Sequence, residues 1–134
     1  MNDGLKASGQ ATVATEYPRV ARLKAEEAPQ LTADVAAFIL PVDNPGRFVI
    51  LIDADALGPW TIQGIVDDGL ADSFYVLNTG VNHLLLGHQD LAADVRDRII
   101  IPTGLDLRLD VNEMAVLWYD LTATRWRVLE TSGA

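Results

Sequence analysis

The sequence from Leu105 to Leu129, LDLRLDVNEMAVLWYDLTATRWRVL, contains three apolar runs joined by two short polar turns. In the first run leucines alternate with charged residues, which is the two-residue period of a half-buried strand. The second run, Met114 to Tyr119, is apolar throughout, as in a central strand buried on both faces. In the third run Trp126 and Val128 alternate with arginines, so one face is apolar and the other is solvated. The stretch therefore predicts a β-meander that supplies the core.

Short apolar runs also recur through the preceding part of the chain, and turn-forming residues separate them at intervals of roughly ten residues. These runs are 38–41, 47–52, 60–65, 73–78, 83–88 and 98–101. Together with the meander they predict an all-β domain, an antiparallel β-sandwich or jelly roll of about nine short strands. An α/β fold would require helices alternating with strands, a pattern that the sequence does not show. The residues predicted to lie in the core are Phe48, Ile50, Leu107, Val116, Trp126 and Val128.

The N-terminal residues differ in composition from the rest of the chain. Residues 1–15 are mostly small and polar, so this segment cannot form a core by itself. Residues 17–24 combine apolar and basic side chains in a pattern that leaves strand and helix open. We therefore expect residues 1–28 to form an extended arm, flexible or partner-bound, with an untethered tail as the alternative, and residues 29–134 to form the sandwich. The arm residues predicted to bind a partner are Arg19, Val20, Arg22, Leu23 and Lys24.

The composition excludes several classes of protein. The formal net charge is −9, and residues 31–134 carry the whole excess, with six basic against fifteen acidic side chains. Such a domain repels nucleic-acid phosphate, which excludes a nucleic-acid partner. The longest apolar runs span about six residues, far short of the roughly 20 that a membrane helix requires, so no membrane partner is expected. No secretory signal is visible at the start, which makes synthesis in the cytoplasm the expectation.

The residues that commonly bind metal ions are poorly placed for it. The chain has no cysteine, and its two histidines, His83 and His88, point to opposite faces of a strand, so they cannot share a metal ion without a bend. Aspartates in two loops would supply calcium ligands if the loops met, but aspartate is favoured in turns and no EF-hand spacing is present. These aspartates are Asp53, Asp55, Asp67, Asp68 and Asp72. We predict no metal ion and no cofactor.

The sequence also lacks the signatures of common enzymes. It contains no nucleophile elbow, zinc-protease motif, P-loop or dinucleotide-binding glycine motif. Its carboxylates are numerous, but none is singled out by its context as part of a glycosidase pair. We therefore expect no enzymatic activity. Aromatic side chains that would stack on a sugar ring are Trp60, Tyr75, Trp118, Tyr119 and Trp126, and packing in the core is the favoured use of most of them.

Six short motifs carry a resemblance to a known module. They are LTAD at 31–34, TIQGI at 61–65, NTG at 78–80, HQDLAA at 88–93, RII at 98–100 and LWYDLTATRWRV at 117–128. On these motifs the chain resembles, over about three quarters of its length, a β-module that recurs in the tail-fibre and head-decoration proteins of tailed bacteriophages. The motifs consist of turn and core residues. The acidic loops and the N-terminal arm depart from the resemblance.

The resemblance implies a structural virion protein on the surface of a phage particle. One expected role is a capsid decoration, or cement, protein that attaches to and stabilises the phage head; the alternative is a tail-fibre or head-fibre module that binds a receptor or a carbohydrate. The sequence has no fibrous repeat, heptad or further domain of the kind a complete fibre contains, which favours the decoration protein. The implied partners are the major capsid protein or another virion protein, and two further copies in a homotrimer.

Overall fold

The computed structural model describes residues 24–41, 48–54, 57–67 and 73–131. This part of the chain is all-β, as predicted, and it forms two sheets with a single turn of 3₁₀ helix at Val95–Asp97. The strands are β1 (Lys24–Glu27), β2 (Phe48–Ile52), β3 (Trp60–Ile62), β4 (Ser73–Asn78), β5 (Leu84–Leu86), β6 (Ile99–Ile100), β7 (Leu107–Leu109), β8 (Met114–Asp120) and β9 (Arg125–Thr131).

The chain passes back and forth between the two sheets. The large sheet has the order β1-β2-β4-β8-β9-β6, and the small sheet has the order β3-β5-β7. Because β2 and β4 enter the large sheet while β3 and β5 enter the small one, neighbours from successive passes are parallel: β1 with β2, β2 with β4, and β3 with β5. The chain therefore coils as a short β-solenoid, in which each pass stacks on the one before it.

Three turns of this solenoid can be followed in the described residues. The first turn is 24–41, the second comprises the described residues between 48 and 67, and the third is 73–88. Outside the named strands, isolated parallel bridges join Leu31 to Ala54 and Phe38 to Ile65. The second member of each pair follows the first by 23 and 27 residues, which brackets the length of one turn.

Strands β7, β8 and β9, the closing strands, end the solenoid with antiparallel pairing. Strand β7 pairs with β5 in the small sheet, whereas β8 pairs with β4 and β9 in the large sheet. The predicted three-stranded meander is therefore only a hairpin of β8 and β9. The turn between Asp110 and Glu113 carries the chain from one sheet to the other, and the N–H of Asn112 donates to the Asn78 carbonyl at 2.8 Å on the way.

The parallel pairing replaces the antiparallel sandwich or jelly roll that the strand spacing predicts. Alternation of apolar and polar residues shows which face of a strand is buried, but it does not select the neighbouring strand or its direction. The predicted arm also overlaps the sheet, since Lys24–Glu27 is β1 and pairs with β2. Residues 1–23 of the predicted arm lie outside the described residues.

The core fills the space between the two sheets. In β4 the buried residues alternate with half-buried ones, so that one face of the strand packs inward. The larger buried apolar side chains are Leu31, Phe38, Leu40, Ile50, Ile52, Ile62, Ile65, Phe74, Val76, Leu84, Leu86, Ile99, Ile101, Leu109, Leu117, Trp126 and Val128. Burial of this continuous apolar surface is the main term that stabilises the fold.

Of the six predicted core residues, three are buried, one is partly buried against the core, one is a correction and one has a side chain outside the described residues. Ile50, Trp126 and Val128 are buried in the core, and Leu107 is partly buried against it. Val116 is a correction: it is only half-buried, because its neighbours on β8, Ala115 and Leu117, take the inward positions. Strand β8 thus buries one face rather than both. The side chain of the sixth residue, Phe48, lies outside the described residues, although its backbone pairs with Lys24.

Candidate functional site

The NTG motif forms a hydrogen-bonded corner after β4. The side chain of Asn78 is fully buried, and its amide group donates to the carbonyls of Asn82 and Leu109, each at 2.9 Å. Its side-chain oxygen accepts from the N–H of Gly80 at 2.9 Å. A Cβ on Gly80 would lie 2.8 Å from the backbone nitrogen of Ala54, so the corner sits directly on the second turn. A buried amide with all these partners has a structural role.

The LTAD and TIQGI motifs join the first turn to the second. The carboxylate of Asp34 accepts from the N–H of Thr61 at 2.8 Å. Gly64 lies where there is no room for a side chain, since a Cβ would be 2.4 Å from the Ala93 Cβ and 2.8 Å from the Ala36 carbonyl oxygen. These two motifs therefore hold neighbouring turns at close distance.

The HQDLAA and RWRV motifs are linked to each other and to β6. The Nδ1 atom of His88 accepts from the N–H of Ile101 at 2.9 Å, so this imidazole nitrogen is already used by the fold. The Nε of Arg125 donates to the side-chain oxygen of Gln89 at 3.1 Å. The HQ pair thus links the end of the third turn to the residue after β6, through His88, and to β9, through Gln89.

The aromatic side chains do not gather at one site. Trp126 is buried with edge-to-face contacts to Phe74 and Tyr119, at centroid distances of 5.3 and 5.0 Å, and its Nε1 donates to the Ile65 carbonyl at 2.8 Å. The hydroxyl of Tyr119 donates to the Arg96 carbonyl at 2.9 Å. Burial, together with the nearby Asp67 carboxylate, raises the pKa of Tyr119 above its ordinary value. These aromatics are structural.

The remaining aromatics occupy three different surroundings. Trp60 packs partly buried against the core. Tyr75 and Trp118 alternate with the inward residues of β4 and β8, so they lie on the opposite face of the large sheet, where both are half-buried. No single sugar-stacking platform therefore forms from the five aromatics that the sequence singled out.

The acidic loops show no metal centre in the described part of the chain. Across residues 24–41, 48–54, 57–67 and 73–131 no group of three or more histidine or carboxylate side chains is close enough to hold a metal ion. Asp53 accepts from the Gln30 amide at 3.1 Å, and Asp67 lies 3.6 Å from the guanidinium of Arg96. The other candidate calcium ligands, Asp55, Asp68 and Asp72, lie outside the described residues.

The first turn is the open end of the solenoid. Strand β1 pairs with β2 along one edge, and within the described ranges no strand pairs with its other edge. A cavity of about 300 Å³ opens on the same turn, and every residue that lines it lies between Pro29 and Ile39. Its apolar lining includes Leu31, Val35 and Phe38. The side chain of Ile39 at its margin is 69% exposed.

The backbone of one predicted partner-binding residue, Lys24, lies within the described part of the chain. Lys24 is the first residue of β1, and its side chain is outside the described residues, as are Arg19, Val20, Arg22 and Leu23. A polar cavity of about 440 Å³ lies beside the same strand, lined by Glu27, Ala28, Gln30, Leu51, Asp53 and Thr79. Within the described residues, the first turn thus contains both an edge strand and an apolar cavity.

A scan against protein-family models, a search of curated proteins and a search of solved structures each returned no match to this chain. In the described ranges, no helix is long and apolar enough to cross a membrane. The resemblance to phage virion modules remains a prediction from the six motifs.

Proposed function

We propose that this chain is a non-enzymatic structural protein of a tailed-bacteriophage particle, a capsid decoration protein that attaches to and stabilises the head. The observation that carries the proposal is the first turn, in which β1 is an edge strand within the described residues and residues 29–39 line an apolar cavity. Its partners in this proposal are the major capsid protein or another virion protein, and copies of itself in a homotrimer. The protein then resides on the surface of the particle, after synthesis in the host cytoplasm.

The open first turn offers two kinds of contact to a partner. An unpaired strand edge presents backbone N–H and C=O groups that an extended segment of another protein can pair with. The cavity between Pro29 and Ile39 offers a recess for an apolar side chain of the same partner. Because both features belong to the first turn, one partner segment engages both in this proposal.

The charge distribution gives the attached protein an orientation. The predicted arm carries Arg19, Arg22 and Lys24, whereas residues 31–134 carry fifteen acidic and six basic side chains. Basic arm residues that face acidic groups on the shell would be attracted, and the acidic domain would be repelled from them. The open end of the solenoid therefore faces the particle, and the closing strands project outward.

The hydrogen-bonding of the six motifs supports a structural rather than a chemical role. Asn78, His88 and Asp34 each accept from a backbone N–H of the fold, at 2.8 to 2.9 Å. Side chains that are engaged in this way are not available as a nucleophile or a general base without breaking the corner they hold.

The alternative function is a tail-fibre or head-fibre module that binds a receptor or a carbohydrate. Half-buried Tyr75 and Trp118, on the outward face of the large sheet, favour it, since aromatic rings combine an apolar surface with a polar atom. Binding on a glycan array that Trp118→Ala abolishes would support the fibre module against the decoration protein.

A particle-binding assay tests the proposal directly. Ile39→Asp places a charge at the margin of the cavity, where the side chain is already 69% exposed, so folding should be little affected. We expect its affinity for particles that lack the protein to fall by about tenfold or more, as for a residue at the centre of an interface. The matched control is Leu121→Asp, because Leu121 is 82% exposed and follows β8, which two strands of the large sheet separate from β1.

Two outcomes would contradict the proposal. If Ile39→Asp binds as well as the unmodified chain, the first turn is not the attachment surface. If a chain that begins at Lys24, and so retains β1, still decorates particles at full occupancy, the basic arm does not contribute. The melting temperature of both variants should remain close to that of the parent, which separates lost attachment from lost folding.

A further inference from the structure

The edge of the large sheet that lies farthest from β1 is only partly covered. The edge strand β6 has two residues, which pair with Trp126 and Arg127 of β9. Strand β9 continues through Val128–Thr131, and among the described residues no strand pairs with the side of this stretch that faces away from β8. An unpaired edge presents N–H and C=O groups to which another chain can add a strand. Each end of the large sheet thus has an edge of four residues, since β1 is Lys24–Glu27.

These two edges run in the same direction. Strands β1, β2 and β4 are parallel, β8 is antiparallel to β4, and β9 is antiparallel to β8. Strand β9 is therefore parallel to β1, and a second copy displaced along the sheet would bring its β1 beside Val128–Thr131, in line with β6. Such a contact joins two different surfaces, so it repeats from copy to copy and builds a fibre unless a rotation closes a ring.

A β-bulge interrupts β9 within this stretch. Val128 pairs with Leu117 of β8, and Glu130 pairs with the preceding residue of β8, Val116. Leu129 between them is an extra residue, and its side chain is 63% exposed. An extra residue bends its strand and increases the local twist, so the groups on the free side lose the spacing of a regular strand. Strand β1, by contrast, pairs with β2 without a register shift.

We infer that the bulge at Leu129 prevents copies of this chain from polymerising through pairing of β1 in one copy with β9 in the next. The stretch has the sequence VLET, whose β-branched and apolar residues favour strand addition in a regular strand. Because of the bulge, only the β1 end of the large sheet has a regular edge, so a partner strand adds at one end and the array stops there. This inference goes beyond the proposed function and does not depend on attachment to a particle.

Deletion of Leu129 or of Glu130 tests the inference, because either deletion removes the extra residue and restores one-to-one pairing with β8. The assay uses about 0.5 M NaCl, which screens repulsion between the acidic chains. We expect both deletion variants to form fibres in electron micrographs and to raise thioflavin T fluorescence about tenfold over the unmodified chain, as stacked strands do. The matched control is Leu129→Ala, which keeps the bulge but shortens the exposed side chain, and it should form no fibres.

Ala25→Pro tests whether β1 is the other half of the contact. The N–H of Ala28 donates to the Leu51 carbonyl, and alternate residues of a parallel strand bond to the same neighbour, so the N–H of Ala25 points to the free side of β1. Proline at this position removes that donor and leaves the pairing with β2 intact. Combined with deletion of Leu129, it should abolish the fibres. Unmodified chain added at a low molar ratio should shorten them, because its β1 joins a growing end while its bulged β9 accepts no further copy.

Circular dichroism shows whether the deletion variants are folded like the unmodified chain. Folded deletion variants that form no fibres would overturn the inference. So would equal fibre formation by Leu129→Ala, which would assign the protection to the leucine side chain, or fibres that persist with Ala25→Pro. Loss of the folded spectrum in both deletion variants would also overturn it, because the extra residue would then be needed for folding and not for closing the edge.

Discussion

The two ends of the solenoid are finished in different ways. At the closing strands, chain direction reverses and Trp126 seals the core with a hydrogen bond and two aromatic contacts. At the first turn, the edge of β1 and an apolar cavity are left open within the described residues. Solenoids need a cap at each end because the terminal repeats otherwise expose core and backbone. The hairpin of β8 and β9 pairs with β4 of the third turn, and in the proposed function a partner covers the first turn.

The largest effect should come from removing the seal at the closed end. Trp126→Ala deletes a side chain that is 1% exposed, and we expect the free energy of unfolding to fall by about 3 to 5 kcal/mol through lost burial and a residual cavity. Urea denaturation followed by fluorescence of the other tryptophans measures it. Leu121→Ala, at an exposed position on the same hairpin, is the control and should change little. A cost below about 1 kcal/mol for Trp126→Ala would show that the hairpin does not seal the core.

A pair of smaller substitutions compares one corner near each end. Asn78→Ala removes the buried amide that bonds the Leu109 carbonyl of the closing strands, and we expect a loss of about 1 to 3 kcal/mol. Asp34→Ala removes the carboxylate that accepts from Thr61 in the open turn, where the site is exposed and the loss should be about 0.5 to 1.5 kcal/mol. Denaturant melts of both variants under one set of conditions give the comparison. Equal losses of unfolding free energy would mean that the two corners contribute equally to the stability of the fold.

The smallest expected effect concerns pH at the hairpin of the closed end. A hydrogen bond at 2.7 Å from the Arg127 guanidinium, helped by backbone N–H groups of the turn, holds the pKa of the Asp120 carboxyl below its ordinary 3.8. A carboxyl whose pKa is lowered in the folded state contributes stability above pH 3.8 and loses it as the pH falls through the folded pKa. In Asp120→Asn this part of the acid dependence should disappear. An unchanged acid titration of stability in that variant would contradict the assignment.

The sequence predicts the closed end much better than the open end. Trp126 and Val128 occur in a strand with strict alternation, so their burial follows from the pattern alone. The half-burial of Val116 does not follow from the pattern, because a wholly apolar strand does not indicate which of its faces packs on the core. The alternation also leaves the partner of each strand undetermined, which is why parallel stacking of turns 23 to 27 residues apart was not foreseen.

The candidate site is the part of the structure that is least predictable from the sequence. Strand β1 has the sequence KAEE, which carries no strand signal, since an edge strand that is solvated on one side can consist of charged residues. It is recognised as a strand only by its pairing with the apolar strand β2. The cavity of the first turn is likewise formed by the path of the backbone between Pro29 and Ile39, which no local pattern reveals.

The hydrogen bond between Trp126 and Ile65 joins residues that are 61 positions apart, more than twice the length of one solenoid turn. During synthesis, the second turn therefore emerges long before the side chain that closes it. Loop closure over this distance costs more entropy than the stacking of adjacent turns, so we expect docking of the hairpin to be a late step of folding. Until that step, we expect the apolar ends of the turns to remain exposed, so that nascent chains at high local concentration have time to pair with one another.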